Sequence, residues 1–252
     1  MCYDIKTKLE TQLKRAKHYN NQRWIEELEN KLKPYLDKDI NHASGFMHPT
    51  VLIYTSEKPF EPQPYQWGLV PSWVKDDNQK NLIWNKTINA RRETMFEKPS
   101  FKAAAKSKHC IVYVDGFFEH HHYKGKTYPF YIYRSDNQPM ALAGLYDQWV
   151  NRQTGEVFNT FTIVTTRANE LMSKIHNSPK LAEPRMPVIL KDDACEDWLS
   201  NKDENIANKV LLPFSDEKLK AHTVAPLRGK LALGDVPEAS EPFAYEELKW
   251  AI

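Results

Sequence analysis

Cysteine is scarce in this chain, with three in 252 residues. Cys2, Cys110 and Cys195 form neither a paired framework nor a metal-ligand spacing, which excludes a disulfide scaffold. A reduced, cytoplasmic compartment fits, and there Cys2 stays a free thiol. No stretch of 18 apolar residues occurs, so no helical membrane span is expected. Lys6, Lys8 and Glu10 break up the amino terminus before an apolar signal region can form. Net charge of one sign is also lacking, the formal balance being +2. The charge is nevertheless uneven. Residues 1–135 hold 22 Lys+Arg against 15 Asp+Glu, and residues 136–252 hold 13 against 18. A basic front half attracts a polyanion, and the acidic remainder limits loose binding.

What is present is ordinary globular composition, with 41% hydrophobic residues and enough aromatics for a sizeable core. Residues 5–36 read as a helical hairpin. Leu9, Leu13 and Ala16 follow helical spacing, as do Trp24, Leu28 and Leu32, with polar Asn20, Asn21 and Gln22 between and Pro34 at the close. From residue 50 the texture changes to short β-type runs at 51–54, 110–114, 128–133, 141–145 and 158–165, bounded by Gly, Pro and Asn. Helices are predicted at 168–174 and 191–199. The stretch 229–242 reads as the start of a loose carboxy-terminal arm reaching residue 252. No internal repeat or linker divides the chain, so the expectation is one α+β domain over 1–252 with a mixed or antiparallel, barrel-like β core.

The chemistry begins at Cys2. Aminopeptidases remove Met1 when a small residue follows, leaving an α-amine and a thiol on adjacent carbons. Their reference pKa values, about 7.7–8.0 and about 8.5, make both nucleophiles accessible near neutrality. Such a 1,2-aminothiol condenses with an aldehyde to an imine, which the thiol then closes to a five-membered thiazolidine. A lone Cys2 is more often an incidental residue at a frayed terminus, so other residues must support it. Trp67-Gly68-Leu69-Val70-Pro71-Ser72-Trp73 is either a packed corner or a place where an exposed tryptophan stacks on an unpaired base. Asn89-Ala90-Arg91-Arg92-Glu93 is either a capped turn or an amide and guanidiniums for sugar and phosphate. The run Cys110 to Glu119 delivers a carboxylate at a strand end in an aromatic setting, where its pKa can rise. His176 stands alone between His122 and His222 as a proton-transfer candidate. His120-His121-His122 makes a poor metal site, because neighbours on a strand point to opposite faces.

Seven stretches in one order carry a resemblance. Met1-Cys2, Trp-Gly-Leu-Val-Pro-Ser-Trp, Asn-Ala-Arg-x-Glu, Asp-Gly-Phe-Phe-Glu, Thr-Thr-x-Ala-Asn and Arg-Met-Pro-Val-Ile-Leu, with Ala141 to Tyr146 among them, resemble the SOS response-associated peptidase, or SRAP, family. The likeness covers residues 1–3 and about 50 to 228. It implies a protein without cofactor that captures abasic sites in single-stranded DNA by a thiazolidine crosslink through Cys2, as a monomer and away from membranes. By resemblance, Asn89 orients the cysteine or sugar and Glu119 handles the amine proton. His176, with an ordinary imidazole pKa near 6.5, donates a proton as the sugar opens. Trp67 stacks near the lesion, Arg91 and Arg185 bind phosphates, and Thr166 joins the DNA-binding group. Three departures stand out. Tyr3-Asp4 replaces the family's Gly-Arg, His120 replaces an aromatic residue, and Asn177 to Pro184 separate His176 from Arg185. Two rivals stay open: an amino-terminal-nucleophile cysteine peptidase, suggested by the family name, and a noncovalent single-strand-binding module. Autolytic removal of Met1 is compatible with the first reading, and an accompanying lyase activity is left open.

Overall fold

Residues 2–20, 22–35, 39–200 and 203–248 are described by a computed structural model. Met1, whose removal is expected, lies outside them, as do Asn21, Leu36 and the last four residues of the arm. The first element is a strand, β1 (Asp4–Thr7), where helical spacing predicts the start of the hairpin. Its β-branched Ile5 and Thr7 suit extended backbone, and it is paired on both sides, which fixes that conformation. The elements α1 (Leu9–Tyr19), α2 (Gln22–Leu32), β2 (Ile40–Ser44), β3 (Thr50–Thr55), β4 (Gln63–Trp67), α3 (Asp77–Trp84) and β5 (Asn89–Arg91) follow. Then come α4 (Lys102–Ser107), β6 (His109–Val114), β7 (Gly116–Tyr123), β8 (Lys126–Arg134), β9 (Met140–Val150) and β10 (Val157–Arg167). The described chain continues through α5 (Glu170–Ile175), β11 (Arg185–Pro187), β12 (Ile189–Leu190), α6 (Ala194–Ser200), α7 (Glu204–Val210) and β13 (Leu219–Thr223).

Five strands close on themselves. The pairs β4–β3, β3–β6, β6–β9 and β9–β10 are antiparallel, and the parallel pair β10–β4 completes the ring, giving a mixed five-stranded barrel in an α+β fold. Closure removes the edges that an open sheet would expose. Gly144 on β9 sits in register with Cys110 on one side and Ile163 on the other. A Cβ there would lie 2.8 Å from both Cys110 Sγ and the Thr162 carbonyl, so only glycine lets the strands approach this closely. The alternating side chains divide between two cores. Leu52, Tyr54, Ile111 and Ala143 pack with the helices, whereas Val51, Ile53, Val112 and Leu142 pack with Ile5, Phe117 and Ile132 of the second sheet. Each such buried aliphatic or aromatic side chain contributes roughly 1.5–3 kcal/mol.

The second sheet is antiparallel, in the order β13-β8-β7-β1-β2. It is joined to the barrel by the single residue Asp115 between β6 and β7. Helices α1 and α2 bury Leu13, Ala16, Ile25, Leu28 and Leu32 on one stripe. Gln12 Oε1 accepts the Leu52 N–H at 2.9 Å, and the Tyr54 hydroxyl donates to the Gln12 carbonyl at 2.8 Å, fastening α1 to β3. The carboxy-terminal arm is not loose. Asp235 accepts the N–H groups of Asn41 and His42, Lys6 Nζ bonds Ser240 at 2.6 Å, and the Tyr245 hydroxyl bonds the Val224 carbonyl. Asp235 and Ser240 read as solvated in the sequence because their partners Asn41, His42 and Lys6 lie some 200 positions away.

Candidate active site

The ladder between β1 and β7 sets Asp4 opposite Phe118 and Ile5 opposite Phe117, which brings the start of the chain beside Glu119. Cys2 is buried. From the barrel side, Asn89 Nδ2 on β5 donates to the Cys2 carbonyl at 2.9 Å. The other half of that amide, Asn89 Oδ1, is a buried acceptor without a hydrogen-bond partner among the described residues. An unpaired buried acceptor is costly and is a recurrent feature of sites that receive a ligand. Burial pushes the Cys2 thiol well above its ordinary value, and the nearby Glu119 charge pushes it further.

Glu119 Oε1 accepts the His120 N–H at 3.0 Å, and Oε2 lies 3.9 Å from His176 Nε2. Burial raises the Glu119 carboxyl above the usual glutamate value. His176 follows α5, whose start is capped by Asn169 accepting the Met172 N–H. His176 Nδ1 accepts the Arg185 N–H at 2.9 Å. A backbone N–H can only donate, so Nδ1 carries the lone pair and the neutral ring holds its proton on Nε2, toward Glu119. Burial holds His176 down to about 3. As a neutral ring, His176 presents its Nε2–H as a hydrogen-bond donor. The bond to Arg185 also shows what Asn177 to Pro184 do: they bulge out as a loop, and His176 stays beside Glu119 despite the altered spacing.

Glu119 and His176 border an open cleft of about 490 Å³, lined also by Tyr3, His120, Ser178 and Arg228, among others. His120 and His122 line it, while His121 is turned to the Lys174 carbonyl, as strand alternation requires. Among the described residues no group of three or more His, Cys, Asp or Glu side chains could hold a metal ion. No described helix is long and apolar enough to cross a membrane.

The profile of the SOS response associated peptidase (SRAP) family matches residues 1–230. The chain belongs to this family. The SRAP relatives include the abasic site processing protein YoqW of Bacillus subtilis, 40% identical over 165 residues, 64% of this chain and 68% of YoqW. The abasic site processing protein HMCES of Gallus gallus is 32% identical over 197 residues, covering 70% of this chain and 56% of HMCES. A crystal structure of a protein from Bacteroides thetaiotaomicron superposes with a TM-score of 0.82 at 30% identity, covering 96% of this chain and all of that one.

Within this SRAP scaffold the residues singled out in the sequence separate into two groups. Cys2, Asn89, Glu119 and His176 converge. Three residues assigned to DNA do not have the exposure that contact requires. Trp67 is 0% exposed, and its Nε1 donates to the Ile88 carbonyl at 2.9 Å. The exposed tryptophan of that stretch is Trp73, at 43%. Arg185 is 1% exposed, and its guanidinium is bound at 2.7 Å by Glu93 and by Glu183 and at 2.8 Å by the Thr165 carbonyl. Glu93 of Asn-Ala-Arg-x-Glu thus clamps the arginine of Arg-Met-Pro, so one motif braces the other. Thr166 is buried in β10 opposite Met186. Arg91 remains half-buried at the end of β5. Sequence reading missed the group around Asp4. Its Oδ1 meets His42 Nε2 at 3.1 Å and its Oδ2 accepts from Arg228 Nη2 at 2.9 Å. Burial alone would raise the Asp4 carboxyl, but His42 and Arg228 outweigh it and hold it below the ordinary value. A carboxylate on a paired, apolar strand signals that a cation must meet it; nothing local says which.

Proposed function

We propose that this protein captures abasic sites in single-stranded DNA through Cys2, as an aminothiol exposed by removal of Met1. What supports the reading is the grouping of buried Cys2 with Asn89, Glu119 and His176, the last two lining the cleft, in a family whose relatives carry the name abasic site processing protein. The ring-opened sugar presents an aldehyde. The Cys2 amine adds to its carbonyl carbon, and loss of one water gives the imine. The thiol sulfur then bonds to the same carbon, the thiol proton passes to the imine nitrogen, and the thiazolidine ring is closed. The sum is one water released and no change of oxidation state.

Each step needs a proton moved at a stated atom. Glu119, raised by burial, takes a proton from the attacking amine and returns it to the departing hydroxyl. The His176 Nε2–H donates a hydrogen bond to the opening sugar oxygen. Asn89 holds the Cys2 carbonyl through Nδ2 and offers its unpaired Oδ1 to the sugar or the amine. The buried thiol stays protonated until the imine is in place, which favours amine attack first. Arg91 contributes a phosphate contact, and the substrate strand is unpaired.

Intact mass spectrometry after incubation with a single strand carrying one abasic site tests this. The expected product has lost Met1 and gained one DNA strand less one water, in a heat-stable bond. Cys2→Ser keeps amine and hydroxyl but cannot close the sulfur ring, so only a borohydride-trapped imine should remain. An unchanged heat-stable adduct in Cys2→Ser would refute the ring chemistry. Cys2-dependent hydrolysis of peptides, indifferent to DNA, would favour the peptidase instead.

A further inference from the structure

Among the described residues lining the cleft, Arg228 is the one lysine or arginine. The sequence assigned phosphate contacts to Arg91 and Arg185, and the Arg185 guanidinium is buried and bound on every side the fold offers. A polyanion entering this cleft therefore meets the Arg228 guanidinium at its wall. That cation is held in place. Asp4, whose backbone pairs with both Ser44 and Phe118, fixes Arg228 Nη2 at 2.9 Å from below. His42 occupies the other oxygen of the carboxylate and packs edge-on against Phe118. The segment carrying Arg228 is anchored by Val224, whose N–H bonds the Pro129 carbonyl at 3.0 Å, and by Leu227, packed with Phe118 and Tyr131. The Arg228 side chain nonetheless keeps 55% of its exposure. One edge of the fork is spent on Asp4, and the remaining donors face solvent.

We propose that Arg228, aimed by the buried Asp4, binds a backbone phosphate of the single strand beside the reacting sugar. This rests on the proposed capture of DNA in the cleft, and it assigns to a residue more than 220 positions away the charge that Tyr3-Asp4 removes from the start of the chain. A planar guanidinium presented from a fixed carboxylate suits a phosphate oxygen pair better than a free lysine would. Asp4 acts here as a positioning residue.

The test uses the full chain and a single strand carrying a tetrahydrofuran abasic analogue, which has no aldehyde and reports noncovalent affinity alone. Fluorescence anisotropy is read across a salt series for wild type, Arg228→Gln, Arg228→Lys and Arg152→Ala, the last being an exposed cation outside the cleft. Arg228→Gln keeps a donor for Asp4 and removes the charge. It should raise Kd about three- to tenfold at low salt and lower the slope of log K against log salt by about 0.7, the value for one phosphate on a single strand. Arg228→Lys should restore most of the slope, and Arg152→Ala should leave it unchanged. A wild-type slope in Arg228→Gln would overturn the assignment and leave Arg228 as a partner of Asp4 only. The same proteins are then given a strand with a true abasic site. If wild type forms no adduct, the proposed function fails; if it does and Arg228→Gln keeps the wild-type slope, only the Arg228 contact fails.

Discussion

Replacing Arg185 by methionine should cost stability and leave DNA binding nearly intact, the reverse of what a phosphate-binding arginine would show. The substitution keeps apolar volume but strips the donors from Glu93, Glu183 and the Thr165 carbonyl. Breaking a buried ion pair by removing one partner costs about 3–5 kcal/mol. Both carboxylates here are about one-third exposed and regain water, so the lower figure for losing charged hydrogen bonds, about 2–3 kcal/mol, applies. At about 2–4 °C per kcal/mol for a chain of this length, the melting temperature should drop by about 5–10 °C. Thermal unfolding followed by circular dichroism measures this, and the salt slope of single-strand binding is measured on the same sample below its transition. A melting point within about 2 °C of wild type, together with a slope reduced by about 0.7, would refute the internal clamp and return Arg185 to the DNA.

Glu119→Gln should slow crosslinking by about 10²–10⁴-fold while changing noncovalent affinity little. Because burial raises the Glu119 carboxyl, the acid limb of the wild-type rate should lie above the ordinary glutamate range and vanish in the variant; a wild-type limb at an ordinary value would contradict the role. His176 governs acid stability with a definite sign. Its folded pKa, about 3, lies below the unfolded value, so its contribution is present above about pH 6.5 and is lost as pH falls toward about 3. Melting temperature should therefore fall more steeply from pH 7 to pH 4 in wild type than in His176→Ala, and parallel profiles would show that the imidazole is not held neutral by the fold.

The helical hairpin was legible because its apolar residues recur at 3.6 spacing and bury one stripe. The barrel strands were legible as apolar runs, yet ring closure was not, since the parallel pair β10–β4 joins residues nearly a hundred positions apart. At the candidate site, the motifs that carry Cys2, Asn89, Glu119 and His176 could be picked out in the sequence, and the fold draws these residues near one another. Which tryptophan of the first motif is buried was not, because aromatic composition is the same for a packed corner and a stacking platform. The burial of Arg185 was hidden for the same reason: a guanidinium looks alike in sequence whether carboxylates or phosphates surround it. Asp4 announced a need for a counter-charge, but only the folded chain connects it to Arg228.

The hydrogen bond from the Arg185 N–H to His176 Nδ1 has a consequence for how this scaffold can vary. It ties the two ends of the 177–184 segment together, so the segment behaves as a side branch whose length is uncoupled from the imidazole's position. Ser178 and Leu181 of that branch form part of the cleft wall. Lengthening or shortening it would reshape the entrance while the proton-handling groups stay where they are. The branch is thus a natural graft point for an epitope or a fluorophore.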